Sequence, residues 1–231
     1  EELLSERSLF NIAHTLAMMQ ETLNEKGVQF LFTVAPNKNS LYGENMPYYD
    51  SLKVSSDKNL VNLQKYLRQE QVSYGDLYET LSEEKEVLYH KRDSHWNNKG
   101  AAVAADTLLS SLKKEHVSYK EEPYTIKTDF TGDLDEMLYP LATTPEEEVY
   151  YDRQTTFAYV GEVVSNFDPK ITTVNPVKEG SLVMFRDSFG NALLPFMADA
   201  YSSAYFSRGV PYQMSEVDEK NADTVIVERA E

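Results

Sequence analysis

Two short segments of the sequence combine residue types that can do acid–base or nucleophilic chemistry. In the first, Arg92-Asp93-Ser94-His95-Trp96, one residue separates an aspartate from a histidine. At that spacing the Asp93 carboxylate can accept a hydrogen bond from Nδ1–H of His95, which would leave Nε2 free as a base. Trp96 is expected to pack over this pair. The same arrangement also serves as a hydrogen-bonding device before helices, so the motif alone leaves catalysis open.

The second segment is a serine that follows an apolar run. Residues 182–185 lead directly into Arg186-Asp187-Ser188-Phe189-Gly190. A serine between a buried strand and a helix has the geometry of a nucleophile turn. The N-terminus of that helix would supply backbone N–H groups and the positive end of a dipole, which could form part of an oxyanion hole. The alternative is that Asp187 or Ser188 is an ordinary N-cap.

Together the two segments supply what nucleophilic catalysis requires, because a serine needs a base and the base needs an orienting group. Few histidines compete for the role of base: the chain has His14, His90, His95 and His116. His14 is expected on the surface of the first helix, and His116 follows a helix end. His90 ends a predicted strand and is the only competitor of His95.

Helices and strands alternate along most of the chain. Hydrophobic spacing predicts helices over 5–26, 57–70, 76–82, 97–115 and 191–200. Ser5 is the predicted N-cap of the first helix and Gly27 its end, while Asn97 or Asn98 is the expected cap of the fourth. Apolar runs predict strands over 28–35, 72–74, 87–90, 181–185, 201–206 and 224–227, and residues 36–56 form a predicted loop. This alternation favours a mostly parallel sheet with ligands bound at the carboxyl ends of its strands.

Residues 120–180 depart from that rhythm. They contain possible strands over 124–128, 149–157, 159–167 and 171–174, with polar connections between them. We interpret the block as a small β-rich insertion in a single domain that spans residues 1–231. The acidic run Glu146-Glu147-Glu148 is expected to be a solvated edge.

Composition excludes several classes of function. The chain has 231 residues, with 22 Lys and Arg against 38 Asp and Glu, and a formal net charge of −16. Nucleic-acid binding is excluded because it needs clustered positive charge. The absence of cysteine excludes disulfides, thiolate metal sites and cysteine nucleophiles. With no signal peptide or membrane span in the sequence, we expect that a targeting segment is missing from the N-terminus.

The sequence resembles the DHHW family and the related SGNH hydrolase-like domains of bacterial alginate O-acetylation proteins. The resemblance spans residues 28–229 and is carried by five motifs: Val34-Ala35-Pro36-Asn37-Lys38 with Tyr42 and Pro47, Asp93-x-His95-Trp96, Thr131-Gly132-Asp133-Leu134, Asp187-Ser188-Phe189-Gly190, and the stretch from Ala222 to Arg229. The serine motif follows the Asp–His motif, as it does in the alginate-type domains. Ser94 stands where the DHHW pattern has its first histidine.

This resemblance implies a flavodoxin-like, three-layer α/β/α SGNH-hydrolase fold with a catalytic triad of Ser188, His95 and Asp93. It also implies acyl-ester chemistry on a carbohydrate, by an O-acetyltransferase or an acetylesterase that acts on exopolysaccharide or cell-wall glycan. Such a protein would work outside the cytoplasm, anchored through the missing N-terminal segment, and a transferase would need an acyl source such as a membrane acyltransferase partner. No cofactor or metal is expected.

Several polar and aromatic residues near predicted strand ends are candidates for substrate binding. A basic or amide group there could bind an acyl oxygen or an anionic sugar, and an aromatic ring could stack on a sugar. The candidates are Lys38, Asn37, Tyr42, Trp96, Arg186 and Arg208. For each of them, surface charge or packing is the alternative.

Two other functions stay open at this level. His90, Asp93 and His95 have the spacing and ligand types of a divalent metal site, although a metal would give Ser188 no role. The second alternative is a catalytically degenerate SGNH-like module that binds glycans or scaffolds a surface assembly.

Overall fold

A seven-stranded sheet forms the centre of the computed structural model, which describes residues 3–53 and 57–231. The strands of this sheet are β1 (Gln29–Ala35), β2 (Tyr74–Gly75), β5 (Ala158–Tyr159), β6 (Lys170–Val174), β7 (Ser181–Phe185), β8 (Ser203–Ser207) and β9 (Thr224–Ala230). Their order is β2-β1-β9-β7-β8-β6-β5. The first five in this order are parallel, and β6 and β5 continue the sheet in antiparallel pairing. Two further strands, β3 (Tyr124–Phe130) and β4 (Glu146–Tyr151), form a separate antiparallel hairpin.

Helices cover both faces of the sheet. They are α1 (Glu6–Glu25), α2 (Lys38–Leu41), α3 (Pro47–Asp50), α4 (Asn59–Gln69), α5 (Leu77–Glu83), α6 (Asn98–Ser111), α7 (Asp133–Leu138), α8 (Gly190–Ala198) and α9 (Ser215–Glu219), with a 3₁₀ turn at Gly43–Asn45. Ser5 caps α1 by accepting a hydrogen bond from the Ser8 amide at 3.1 Å, as predicted. Asn97 caps α6 in the same way through the Gly100 amide at 2.9 Å.

Two hydrophobic layers hold these helices on the sheet. On one face, α1 and α4 pack on β1 and β9 through side chains such as Leu16, Leu63 and Val227. On the other face, α5, α6 and α8 pack through Leu81, Leu108, Leu193 and their neighbours. Burial of apolar surface on both faces explains why the strands are almost continuously apolar. The predicted three-layer α/β/α fold with a mostly parallel sheet is confirmed.

Several local predictions need correction. Residues 87–90 do not form a strand of the sheet, because only a single antiparallel bridge joins Tyr89 to Trp96. The segment predicted as a loop over 36–56 contains α2, α3 and the 3₁₀ turn, and its residues 54–56 lie outside the described part of the chain. Within 120–180, β5 and β6 belong to the central sheet, and only β3 and β4 stand apart. In the described ranges, no helix is long and apolar enough to cross a bilayer.

Candidate active site

Ser188 lies just beyond the carboxyl end of β7, in the short turn between that strand and α8. Strand β7 ends at Phe185 and α8 begins at Gly190, so the turn consists of residues 186–189. Asp187 caps this turn, since its Oδ1 accepts a hydrogen bond from the Phe189 amide at 3.0 Å. The serine is therefore not the cap itself, and its side chain is available for other contacts.

His95 and Asp93 meet Ser188 from a loop that precedes α6. The distance from Ser188 Oγ to His95 Nε2 is 2.8 Å, and the distance from His95 Nδ1 to Asp93 Oδ1 is 2.7 Å. A carboxylate only accepts hydrogen bonds, so Nδ1 carries the proton and Nε2 accepts from the serine hydroxyl. This chain of hydrogen bonds directs the lone pair of a base onto the serine proton.

Asp93 is nearly buried and well supplied with donors. Its Oδ1 also accepts the His95 amide at 2.8 Å, and its Oδ2 accepts the Asp133 amide at 2.8 Å. Burial alone would raise the pKa of this carboxyl, but the hydrogen bonds from His95 and from the two amides bring the pKa below its usual value. Asp93 is therefore ionised at neutral pH.

Residues 131–135, which lead into the first turn of α7, hold the Asp93 loop in place. The amides of Leu134 and Asp135 donate to the Arg92 carbonyl at 3.2 and 3.3 Å. Gly132 allows the two backbones to approach, because a Cβ there would lie 2.1 Å from the Arg92 carbonyl oxygen. Asp133 Oδ1 accepts the Ser94 amide at 2.8 Å. The Thr131-Gly132-Asp133-Leu134 motif thus forms a backbone clamp on the histidine loop.

The β3–β4 hairpin also forms hydrogen bonds with the loop that carries Asp93 and His95. Glu148 Oε2 lies 2.9 Å from His90 Nε2, and Glu148 Oε1 accepts the Asn98 amide at 3.1 Å. Glu146 accepts the amides of Lys91 and Arg92 at 2.7 and 2.9 Å. The prediction of a solvated acidic edge is wrong for Glu148, which is 5% exposed. The hairpin is a brace for residues 90–98.

A buried polar cluster lies beneath the serine turn. Glu228 of β9 is fully buried and accepts the Asp187 amide at 3.1 Å through Oε2, and burial raises the pKa of this carboxyl well above its usual value. Arg186 is also buried and donates to the carbonyls of Asn166 and Asp168 at 2.9 and 3.0 Å. Burial, followed by repulsion from Arg208, lowers the pKa of Arg186 to about 10.

Trp96 packs below the site and does not line it. Its indole is 2% exposed, meets the Phe189 ring edge-on with 4.9 Å between centroids, and donates from Nε1 to the Phe189 carbonyl at 3.2 Å. Arg186, 1% exposed, is equally enclosed. The prediction that Trp96 and Arg186 contact the substrate is therefore wrong. Both side chains are buried and fix the turn that carries Ser188.

The other predicted substrate-binding residues are divided among several places. Lys38 lies near Asp93 and donates from Nζ to the Lys91 carbonyl at 3.3 Å, and burial lowers its pKa. Asn37 donates from Nδ2 to the Glu231 carbonyl at 2.9 Å, just after the end of β9.

The other two predicted residues have partners elsewhere. The Tyr42 hydroxyl accepts a hydrogen bond from the Leu88 amide at 3.1 Å. Arg208 is exposed, and its guanidinium donates to the Phe167 carbonyl at 3.3 Å.

The alternative metal set of His90, Asp93 and His95 is not assembled, because the His90 imidazole binds Glu148 and stacks on Phe130 at 3.8 Å. In residues 3–53 and 57–231, one group of three potential ligands has its atoms within 4.8 Å of one another: Asp93, His95 and Asp133. Each of these atoms already takes part in a hydrogen bond. A metal here would have to displace them.

A mostly parallel α/β/α sheet with an Asp–His–Ser hydrogen-bonded chain beyond the carboxyl end of β7 is the arrangement expected of an SGNH hydrolase-like domain. The model of one family, described as SGNH hydrolase-like domain, acetyltransferase AlgX, matches residues 2–170. The chain belongs to this family. The matched region includes Asp93 and His95, whereas Ser188 lies beyond it. A comparison with curated protein sequences gives no match.

Solved structures share the fold at low sequence identity. PatB1 of Bacillus cereus superimposes with a TM-score of 0.77 and 17% identity, over 98% of this chain and 90% of PatB1. A DHHW family protein from Eubacterium siraeum gives a TM-score of 0.66 with 18% identity, over 94% and 84% of the two chains. The O-acetyltransferase domain of Pseudomonas putida AlgJ gives 0.55 with 16% identity, over 99% and 85%.

Proposed function

We propose that this protein is a serine-dependent O-acetyltransferase that places an acetyl group on a glycan hydroxyl. Ser188 is the nucleophile, His95 the general base and Asp93 the orienting acid. The observation that carries the proposal is the continuous hydrogen-bonded path from Ser188 Oγ through His95 to Asp93, with links of 2.8 and 2.7 Å. Membership of an acetyltransferase domain family supports the same chemistry.

In the first half-reaction, Ser188 Oγ attacks the carbonyl carbon of an acetyl donor while its proton moves to His95 Nε2. The new C–O bond makes a tetrahedral oxyanion, to which the Ser188 amide donates. Collapse of this intermediate breaks the bond to the donor's leaving group, which takes the proton from His95. The products are acetyl-Ser188 and the protonated leaving group.

In the second half-reaction, a sugar hydroxyl attacks the acetyl-serine and loses its proton to His95. The second tetrahedral intermediate breaks the bond to Ser188 Oγ, and His95 returns the proton to that oxygen. The glycan leaves as an O-acetyl ester. If water attacks instead, the same steps make the protein an acetylesterase, so the acceptor that reaches His95 decides the outcome.

We favour a neutral glycan as the acceptor over a polyanionic one. Lys38 faces three carboxylates, those of Asp93, Glu146 and Asp133, which offset its charge. The chain as a whole carries −16, so a polyuronate would meet repulsion at long range. Arg208 is exposed and is available to an acyl oxygen or a single acidic group.

The family also suggests where the protein works. We propose an extracytoplasmic location, where glycan and exopolysaccharide are available, and a membrane acyltransferase as the source of acetyl groups. The exposed Arg208 and the half-buried Lys38 are the proposed contacts for the donor or the acceptor.

The first experiment is covalent labelling with a fluorophosphonate probe, together with acetyl release from 4-nitrophenyl acetate. Wild type should label on the peptide that contains Ser188. Ser188→Ala and His95→Ala should lose labelling and turnover by about 10³-fold or more. Ser111→Ala and His14→Ala are matched controls on exposed positions of α6 and α1, and both should behave as wild type.

Acceptor choice is then read by mass spectrometry of oligosaccharides incubated with the acetyl donor. A gain of one acetyl group on a neutral oligosaccharide supports the transferase, and acetate release that sugars do not change supports the esterase. The alternative of a binding module predicts a folded wild type that neither labels nor turns over, with glycan binding that survives Ser188→Ala.

A further inference from the structure

We propose that Asp133 is a second positioning carboxylate of this site, which acts on His95 together with Ser94 and supports the protonated imidazole during acyl transfer. The inference rests on the proposed function for its role in turnover. It assigns a task to the Thr131-Gly132-Asp133-Leu134 motif beyond the backbone clamp described above. Asp133 does not touch the reacting atoms, so it acts through His95.

The geometry places three oxygen atoms around one nitrogen. His95 Nδ1 lies 2.7 Å from Asp93 Oδ1, 3.3 Å from Ser94 Oγ and 3.5 Å from Asp133 Oδ2. The nearest oxygen takes the proton of Nδ1 in a full hydrogen bond. The other two contribute negative electrostatic potential at the ring, which favours the positive charge that His95 acquires when Ser188 loses its proton.

Ser94 joins the second carboxylate to this arrangement. Its hydroxyl donates to Asp133 Oδ2 at 2.5 Å and its amide donates to Asp133 Oδ1 at 2.8 Å. Because the hydroxyl proton points at Asp133, a lone pair of Ser94 Oγ is left to face His95. The carboxylate thus fixes both the backbone and the side chain of the residue that precedes the base.

Two carboxylates close to one imidazole would repel each other without compensation. Asp133 donates its own amide to Asp93 Oδ2 at 2.8 Å, so the second acid also stabilises the first. From α2, Lys38 presents a cation to Asp93 and Asp133. The charged groups that face the imidazole are therefore Asp93, Asp133 and, behind them, Lys38.

Exposure sets the expected size of the effect. The Asp93 side chain is 7% exposed, and that of Asp133 is 38% exposed. Water screens the more exposed carboxylate and weakens its interaction with a charge. We expect Asp133→Asn to lower kcat about tenfold with little change in KM, against about 10⁴-fold for removal of the primary acid in a triad.

The experiment is an NMR titration of the histidine ring resonances, with the His95 signal assigned from His95→Ala. In Asp133→Asn the titration midpoint of His95 should move to lower pH, because a negative charge beside the imidazolium is lost. Ser94→Ala keeps both carboxylates and should move the midpoint less. Glu136→Gln removes the same charge from an exposed position of α7 and serves as the control that should leave the midpoint unchanged.

The titration does not depend on turnover, so it separates the two proposals. A midpoint that stays at the wild-type pH in a folded Asp133→Asn overturns the role of Asp133, whatever the activity. A shifted midpoint in a protein that never labels at Ser188 supports the coupling and contradicts the proposed function. If Asp133→Asn does not fold, Asp133→Ser removes the same charge, and an unshifted midpoint in that variant overturns the proposal instead.

Discussion

The backbone amide of Asp187 donates to the buried carboxyl group of Glu228 across 3.1 Å, which joins the serine turn to the neighbouring strand β9. The Asp187 side chain makes a second contact with β9, because its Oδ2 accepts a hydrogen bond from the Ala230 amide. The two contacts join Asp187 to both Glu228 and Ala230 near the end of β9. They fix the position of the turn that carries Ser188 relative to the sheet. Glu228 is thus a structural support of the proposed nucleophile.

Replacement of Glu228 by glutamine should stabilise the protein increasingly as pH rises above about 4.5. The folded state raises the pKa of Glu228 far above its usual value of 4.5. The unfolded chain therefore releases this proton as pH rises past about 4.5, while the folded chain keeps it, and stability is lost across that range. Glu228→Gln keeps an acceptor for the Asp187 amide and has no proton to lose.

We expect the melting temperature of Glu228→Gln to exceed that of wild type by an amount that grows between pH 5 and pH 8. The measurement is thermal unfolding by circular dichroism at each pH. Glu219→Gln, on α9, is the control, because its side chain is exposed. A difference that is independent of pH would show that Glu228 is ionised in the folded protein.

Asp93→Asn should lose stability in the opposite pH range. The folded state lowers the pKa of Asp93 below the usual 3.8. The carboxylate therefore stabilises the fold above about pH 4, and this contribution fades as pH falls through the lowered value. Denaturant unfolding of the two proteins should give a gap at pH 7 that closes towards pH 3. A gap that persists at pH 3 would assign the loss to packing instead.

Loss of Glu148 should weaken the contact between the β3–β4 hairpin and residues 90–98. It should reduce activity although Glu148 does not contact the Ser188 hydroxyl. Glu148→Ala removes the partner of the buried His90 and the acceptor of the half-buried Asn98 amide. Removal of one partner from such a buried network costs about 3 kcal/mol. Urea unfolding measures that cost, and acetyl release should fall with it because residues 90–98 lose their support.

The neighbouring Glu147 supplies the matched control. It lies on the same strand and carries the same charge, but it is exposed. Glu147→Ala should keep the stability and acetyl release of wild type. Equal losses in the two variants would mean that the acidic run acts only through its summed charge.

Gly132→Ala should displace the histidine loop. The added methyl would lie 2.1 Å from the Arg92 carbonyl oxygen, so the two backbones must separate. Overpacking of this kind costs about 1–3 kcal/mol, and a shift of about 1 Å at a catalytic group can reduce turnover by about 10²-fold. Acetyl release and unfolding measure both effects. At Gly209 the nearest atom is a serine side chain at 3.3 Å, so Gly209→Ala should be tolerated better.

The sequence predicts the fold better than the supports of the site. Local signals are correct where the interaction is local, as for the caps Ser5 and Asn97 and for the strand before Ser188. They fail for Glu148, because its partner His90 lies 58 residues away and nothing near position 148 indicates burial. The prediction that Trp96 contacts the substrate fails in a similar way, because its partner Phe189 is also distant in sequence. The motif shows that an aromatic ring is near the base, but not on which side of the loop the ring packs.

The sheet order has a consequence for how the protein is made. β9 comes last among the described strands, yet it lies between β1 and β7, in register with both. Until a ribosome has released residues 224–230, the two halves of the sheet have no common neighbour, and each presents an unpaired edge. Ser188 and His95 are 93 residues apart in the chain. We therefore expect the central sheet, and with it the contact between Ser188 and His95, to form only after β9 has been synthesised.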